Sequence, residues 1–190
     1  MGWERFIKNR EREIDASLLG PWRSSPSECA WYLGALNREL LNMATSFRKH
    51  LKFADGINLY WVAPDRRGVK QYLENFAKGI GLPQLSLYKL AKLLSMASKA
   101  CKFDAKLSQH LEQLSKQAME DYTRIRLEFT PQLLRESLAT MDTTRMVDAI
   151  EKINETLQRW AENIYQLTAW AFEEAEKTAK TRELARKLTK

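Results

Sequence analysis

Apolar residues recur along most of the chain in steps of three and four, the spacing of one buried helix face. Residues 2–17 set Trp3, Phe6, Ile7 and Ile14 among charges and predict a short first helix. "GPWRSSPS" (20–27) breaks it, and Ser27 is the expected cap of the next helix, with Glu28 in its first turn. Leu33, Leu36, Leu40, Met43, Phe47 and Leu51 give that second helix one stripe over about 28–54. The stretch 55–65 holds Gly56 and Pro64 and predicts a loop, with a short strand-like run at 57–62. A helix over 66–78 follows, with Val69, Tyr72, Leu73 and Phe76 inward. After "GIGLPQLS" (79–86), Ser86 is the expected cap of a helix to 102, and another covers 104–129. Pro131 is expected to open a short helix to 140. Asp142 or Thr143 then caps a last helix over 144–188, roughly 65 Å long at 1.5 Å per residue. Its apolar positions fade after Ala179. The predicted fold is all-α, one bundle of about five to seven helices over residues 1–190.

Composition narrows the function classes. An apolar share of 44% in 190 residues suits one globular unit, and no run approaches 18 apolar residues, so no membrane partner is expected. The charged N-terminus lacks the apolar core of a secretory signal. Cys29 and Cys101 form no CxxC pair and predict buried free thiols in a reducing, cytoplasmic setting. His50 and His110 are isolated, so neither a metal site nor a nucleophilic triad is expected, nor any cofactor.

Charge divides the chain in two. Residues 1–110 carry 18 Lys and Arg against 10 Asp and Glu, while 111–190 carry 13 against 14. A basic half of this kind points to a polyanionic partner. The predicted helix at 86–102 sharpens the point: Leu87, Leu90, Leu94, Ala97 and Cys101 gather on one side, and Lys89, Lys92, Lys99 and Lys102 on the other. Lys106 continues the same direction. A lysine-only face repels itself, whereas alternating Glu and Lys would stabilise a solvated one, so phosphate contacts are the favoured explanation.

Two more basic clusters stand beside it. Arg66, Arg67 and Lys70 sit at a predicted helix start, where a bound anion would relieve the unfavourable macrodipole. The adjacent Tyr60 and Trp61 have ring faces suited to stacking bases, with one of the two expected in the core. Arg48, Lys49 and Lys52 lie near a predicted helix C-terminus, where the dipole alone also accounts for cations. The segment 148–176 is different: it is acidic, and Trp160, Tyr165, Trp170 and Phe172 exceed one helix face. That pattern predicts a protein interface.

"ECAWYLGALNREL" (28–40), with Tyr32, Leu33, Gly34 and Leu36, followed by the Lys-rich helical region, resembles the small subunit of type I CRISPR effector (Cascade) complexes. It is equally similar to the helical bundle that ends their large subunits. The resemblance implies a non-catalytic ribonucleoprotein subunit in antiviral defense, in some subtypes made from an internal start of the large-subunit gene. It would steady the guide RNA–target DNA duplex and the displaced single strand through backbone contacts. Its partners would be other effector subunits and copies of itself. Two other classes stay open: a helical scaffold without nucleic acid, and a carboxylate enzyme, for which Glu112 and Asp121, or Glu173 and Glu174, are poor candidates.

Overall fold

The computed structural model describes residues 2–21, 23–60, 85–132 and 143–189, with side chains for all of these except 46–60 and 143–147. Every regular element among them is helical: α1 (Gly2–Ser17), α2 (Pro26–Tyr60), α3 (85–100), α4 (Ala105–Arg124) and α5 (Thr143–Leu188). The all-α expectation and the long last helix are therefore both present.

Four local differences from the sequence reading have physical causes. Ser25, not Ser27, caps α2: its hydroxyl accepts the Glu28 N–H at 3.2 Å, which leaves Pro26 at the first helical position, where its missing N–H costs nothing. α2 also runs through Gly56 to Tyr60, so the loop and strand-like run expected from 55 give way to helix as far as residue 60. A single glycine weakens a helix by only about 1 kcal/mol, too little to end one this long. Ser86 lies inside α3 rather than ahead of it, and Asp104 caps α4 by accepting the Leu107 N–H at 3.2 Å. Pro131 does not start a helix, and the rest of the short helix expected to 140 lies outside the described residues. Pro131 falls in a helical run that continues from α4 through a π-helical turn, Ile125–Phe129, in which Thr130 N–H reaches Ile125 C=O. Proline clashes with the carbonyl four residues back in an α-helix, and the wider turn just ahead of it accommodates the ring.

α3 is the centre of the bundle. The expected stripe is buried, and so are Leu85, Tyr88, Ala91, Leu93 and Ala100, which puts neighbours on most sides of the helix. α4 returns antiparallel to α3 along small residues. Ser98 and Ser108 exchange hydroxyl-to-carbonyl bonds at 2.8 Å each way, and Ser115 donates to Ala91 C=O at 2.8 Å. α5 lies against α2 and runs antiparallel to α4, since His110 meets Trp170 while Gln132 donates to Asp148 at 3.0 Å.

α1 is held by its two buried apolar residues, Trp3 and Ile7, and by polar contacts further along. Tyr88 donates to Asp15 at 2.8 Å. Glu11 accepts both the Tyr122 hydroxyl and Arg126 Nε, the latter at 2.5 Å. Burial first, then the neighbouring carboxylate, pushes both tyrosine hydroxyls well above the usual phenol range. Burial works against the Arg126 charge, but the Glu11 hydrogen bond and charge outweigh it.

Cys29 and Cys101 are disulfide-bonded, not free. Both side chains are fully buried, and the bond ties the start of α2 to the end of α3. The free-thiol basis for a reducing compartment is thereby removed. No described helix is long and apolar enough to cross a membrane.

Candidate nucleic-acid interface

The lysines of α3 have separate fates. Lys89 Nζ lies 3.1 Å from Glu39 Oε2, and Glu39 is only 4% exposed. Lys92 Nζ stands 3.8 Å from Asp15 Oδ1 and 5.3 Å from the centre of the Tyr88 ring. The self-repulsion inferred from the sequence is thus relieved by carboxylates from α1 and α2, invisible in the local pattern. Lys99, Lys102 and Lys106 are exposed, and among the described residues no carboxylate pairs with them.

Lys99 lies in the last turn of α3, Lys102 in the tight turn that joins α3 to α4, and Lys106 in the first turn of α4, all at one end of the bundle. The segment before α2 is fastened to the same turn. Ser24 Oγ donates to Ala100 C=O and accepts the Phe103 N–H, both at 3.2 Å, and Ser25 N–H donates to Ala100 C=O at 3.1 Å. The disulfide lies directly beneath. Arg23 is brought to the turn by these bonds; its side chain is 78% exposed and stands 3.9 Å from Glu28, which also accepts the Arg23 backbone N–H at 3.3 Å. Asp104, the one carboxylate within the turn, is occupied as the α4 cap. Phe103 stands half exposed among the cations. The corner therefore combines four cations, an open ring and a rigid backbone.

The other predicted positions are distributed differently. Arg48, Lys49, Lys52 and Tyr60 belong to the backbone of α2, and their side chains lie outside the described residues. Trp61, Arg66, Arg67 and Lys70 lie outside them altogether.

Of the four rings assigned to a protein surface, Trp160 is buried and its indole N–H donates to Asp121 at 2.6 Å. Trp170 is half buried and meets His110 edge-on, with centroids 5.1 Å apart. Tyr165 and Phe172 are exposed and share the outer face of α5. Asp121 also pairs with Arg159 at 3.7 Å, Glu112 with Lys116 at 3.7 Å and Glu174 with Lys177 at 3.1 Å. These carboxylates hold helices together or coat them. Among the described residues no three His, Cys, Asp or Glu side chains could share a metal ion.

One feature escaped the sequence reading. A groove of about 630 Å³ runs between α4 and α5, lined by His110, Leu114, Gln117, Glu120, Asp121, Arg124, Arg159, Trp160, Asn163, Gln166, Leu167 and Trp170. Its signal in the sequence is a polar stripe at 110, 117, 121 and 124, about 90° around α4 from the buried Leu111, Ala118, Tyr122 and Ile125. A stripe of that kind reads as a solvated face until a second helix is known to flank it.

No family model matches this chain, and no significant match arises among curated proteins or solved structures. The residues that carry the resemblance to the CRISPR small subunit have a packing explanation: Tyr32, Leu33, Leu36 and Leu40 are all core, and the Tyr32 hydroxyl donates to Leu19 C=O at 2.7 Å.

Proposed function

We propose that this chain is a non-catalytic helical module that grips the sugar–phosphate backbone of nucleic acid through the α3–α4 corner. The observation that carries the reading is the cluster of Lys99, Lys102, Lys106 and Arg23 around the half-exposed Phe103. The three lysines, exposed and without carboxylate partners among the described residues, keep their full charge for phosphates, Arg23 adds a fourth cation although it pairs with Glu28, and an aromatic ring among them suits base stacking. In the finer form that the sequence resemblance implies, the module is a subunit of a CRISPR effector ribonucleoprotein and contacts guide-paired target and displaced strand.

The test is fluorescence anisotropy of labelled single-stranded and duplex DNA and RNA over a salt series. Weak binding without sequence preference is expected, its log–log salt slope roughly −0.7 to −0.9 per phosphate contact. Affinity flat with salt would overturn the reading. It would favour instead a scaffold that docks protein through Tyr165 and Phe172, the two exposed rings of α5.

A further inference from the structure

We infer that the α4–α5 groove is a subsite for unpaired nucleobases, so that the module prefers a single strand to a duplex. This rests on the backbone-binding reading and adds the strand type and the place where bases go.

The chemistry of the groove suits a base better than a phosphate. Its charges largely cancel: Asp121 is occupied by Arg159 and the Trp160 indole, and Glu120 accompanies Arg124 at the rim. What remains is amide and ring. Gln117 of α4 faces Asn163 and Gln166 of α5, all three exposed. Asn163 donates its amide N–H to Arg159 C=O at 2.8 Å, which leaves its side-chain oxygen as an acceptor. Side-chain amides offer a donor and an acceptor together, the pairing that the Watson–Crick edge of an unpaired base requires. The Trp170–His110 pair is T-shaped, at 82° between planes, so one ring of the pair has both faces uncovered by its partner. Rings at such a place stack bases with little regard to sequence.

Position adds a second line of support. Lys106 lies one helical turn before His110 on the same side of α4, so the groove ends about one turn from the basic corner. At 1.5 Å per residue the track from Lys106 to Arg124 extends roughly 27 Å, room for a few nucleotides. The volume is also within the ordinary range for a ligand site, about 300–1,000 Å³. A π-helical turn follows directly on Arg124, the last α4 residue that lines the groove, and such turns are frequent at functional sites.

The test compares short oligothymidylate with a duplex by anisotropy at one salt concentration. The proteins are the wild type, a groove variant (Gln117→Ala with Asn163→Ala and Gln166→Ala) and a corner variant (Lys99→Ala with Lys102→Ala and Lys106→Ala). The substituted groove residues are exposed, so the variant keeps its fold, checked by circular dichroism. We expect the groove variant to lose roughly tenfold in single-strand affinity, the combined effect of three amide hydrogen bonds, and to bind duplex within about twofold of wild type. The corner variant loses both probes. If the groove variant binds the single strand like wild type while the corner variant still loses both, the base subsite is wrong and the backbone reading stands. Equal losses of both probes in the groove variant overturn the subsite as well. Binding of neither probe by wild type removes both. A labelled poly-glutamate that binds wild type and not the groove variant, with no single-strand preference, assigns the groove to an acidic peptide and overturns the inference.

Discussion

The middle and the end of α3 carry the same residue and do different work. At the middle, Lys89 and Lys92 lean on Glu39 and Asp15, carboxylates some fifty and seventy-seven positions earlier in the chain. At the end, Lys99 and the two lysines after it meet solvent. A helical wheel treats all of them as one basic face. The three-dimensional surroundings separate a structural pair from a free charge, and only the free charges are available to a polyanion at no loss of stability.

The largest effect that sharpens this contrast is the removal of the staple under the free end. The Cys29–Cys101 bond closes a loop of 72 residues. In the chain-entropy model, losing such a constraint removes about 4 kcal/mol of stability. Cys29→Ala with Cys101→Ala should therefore lower the denaturant midpoint strongly, and alkylation of the native wild type without reductant should label no cysteine. Rapid labelling of both thiols would contradict the staple.

Charge reversal separates the two lysine classes more directly. Lys89→Glu places a second carboxylate against the nearly buried Glu39 and should cost about 1–3 kcal/mol, the half-exposed lysine end moderating the larger figure for a fully buried pair. Lys99→Glu should stay within about 0.5 kcal/mol, as exposed substitutions do. Chemical denaturation of the two variants measures the difference, and equal stabilities would dissolve the comparison.

A smaller effect lies at high pH. The Tyr122 hydroxyl is raised above its ordinary value, so the stability it contributes is complete below about pH 10 and is lost as the unfolded chain ionises above that. Unfolding free energy should fall by up to about 1.4 kcal/mol per pH unit there. Tyr122→Phe should flatten the alkaline limb of the stability profile, and an unchanged limb would remove the Tyr122–Glu11 contact from the account.

Much of the fold was readable because helix periodicity is local. Residues 2–17, the stripe from Leu33 to Met43 and the start of α5 follow from spacing alone, and the structure places them as expected. What spacing misses is long-range. The buried second side of α3 required knowing that it is central, the disulfide required two cysteines 72 positions apart to meet, and Glu39 beside Lys89 required the packing of α2. The candidate site shows the same division. Lys99, Lys102 and Lys106 were visible as charge, but Arg23 and Phe103 joined them only through the Ser24 and Ser25 bonds to the turn. The α4–α5 groove needed both its walls before either could be recognised.

The central claim is that the free end of α3, not its middle, meets nucleic acid. It is tested most directly by the salt dependence of DNA binding, measured by anisotropy on Lys99→Ala/Lys102→Ala/Lys106→Ala beside Lys89→Ala/Lys92→Ala. The account predicts that the corner variant loses roughly tenfold or more in affinity and that its salt slope falls by about two to three contacts. The mid-helix variant, once folded, should bind and respond to salt like wild type. Loss of binding in the mid-helix variant with the corner variant unaffected would contradict it.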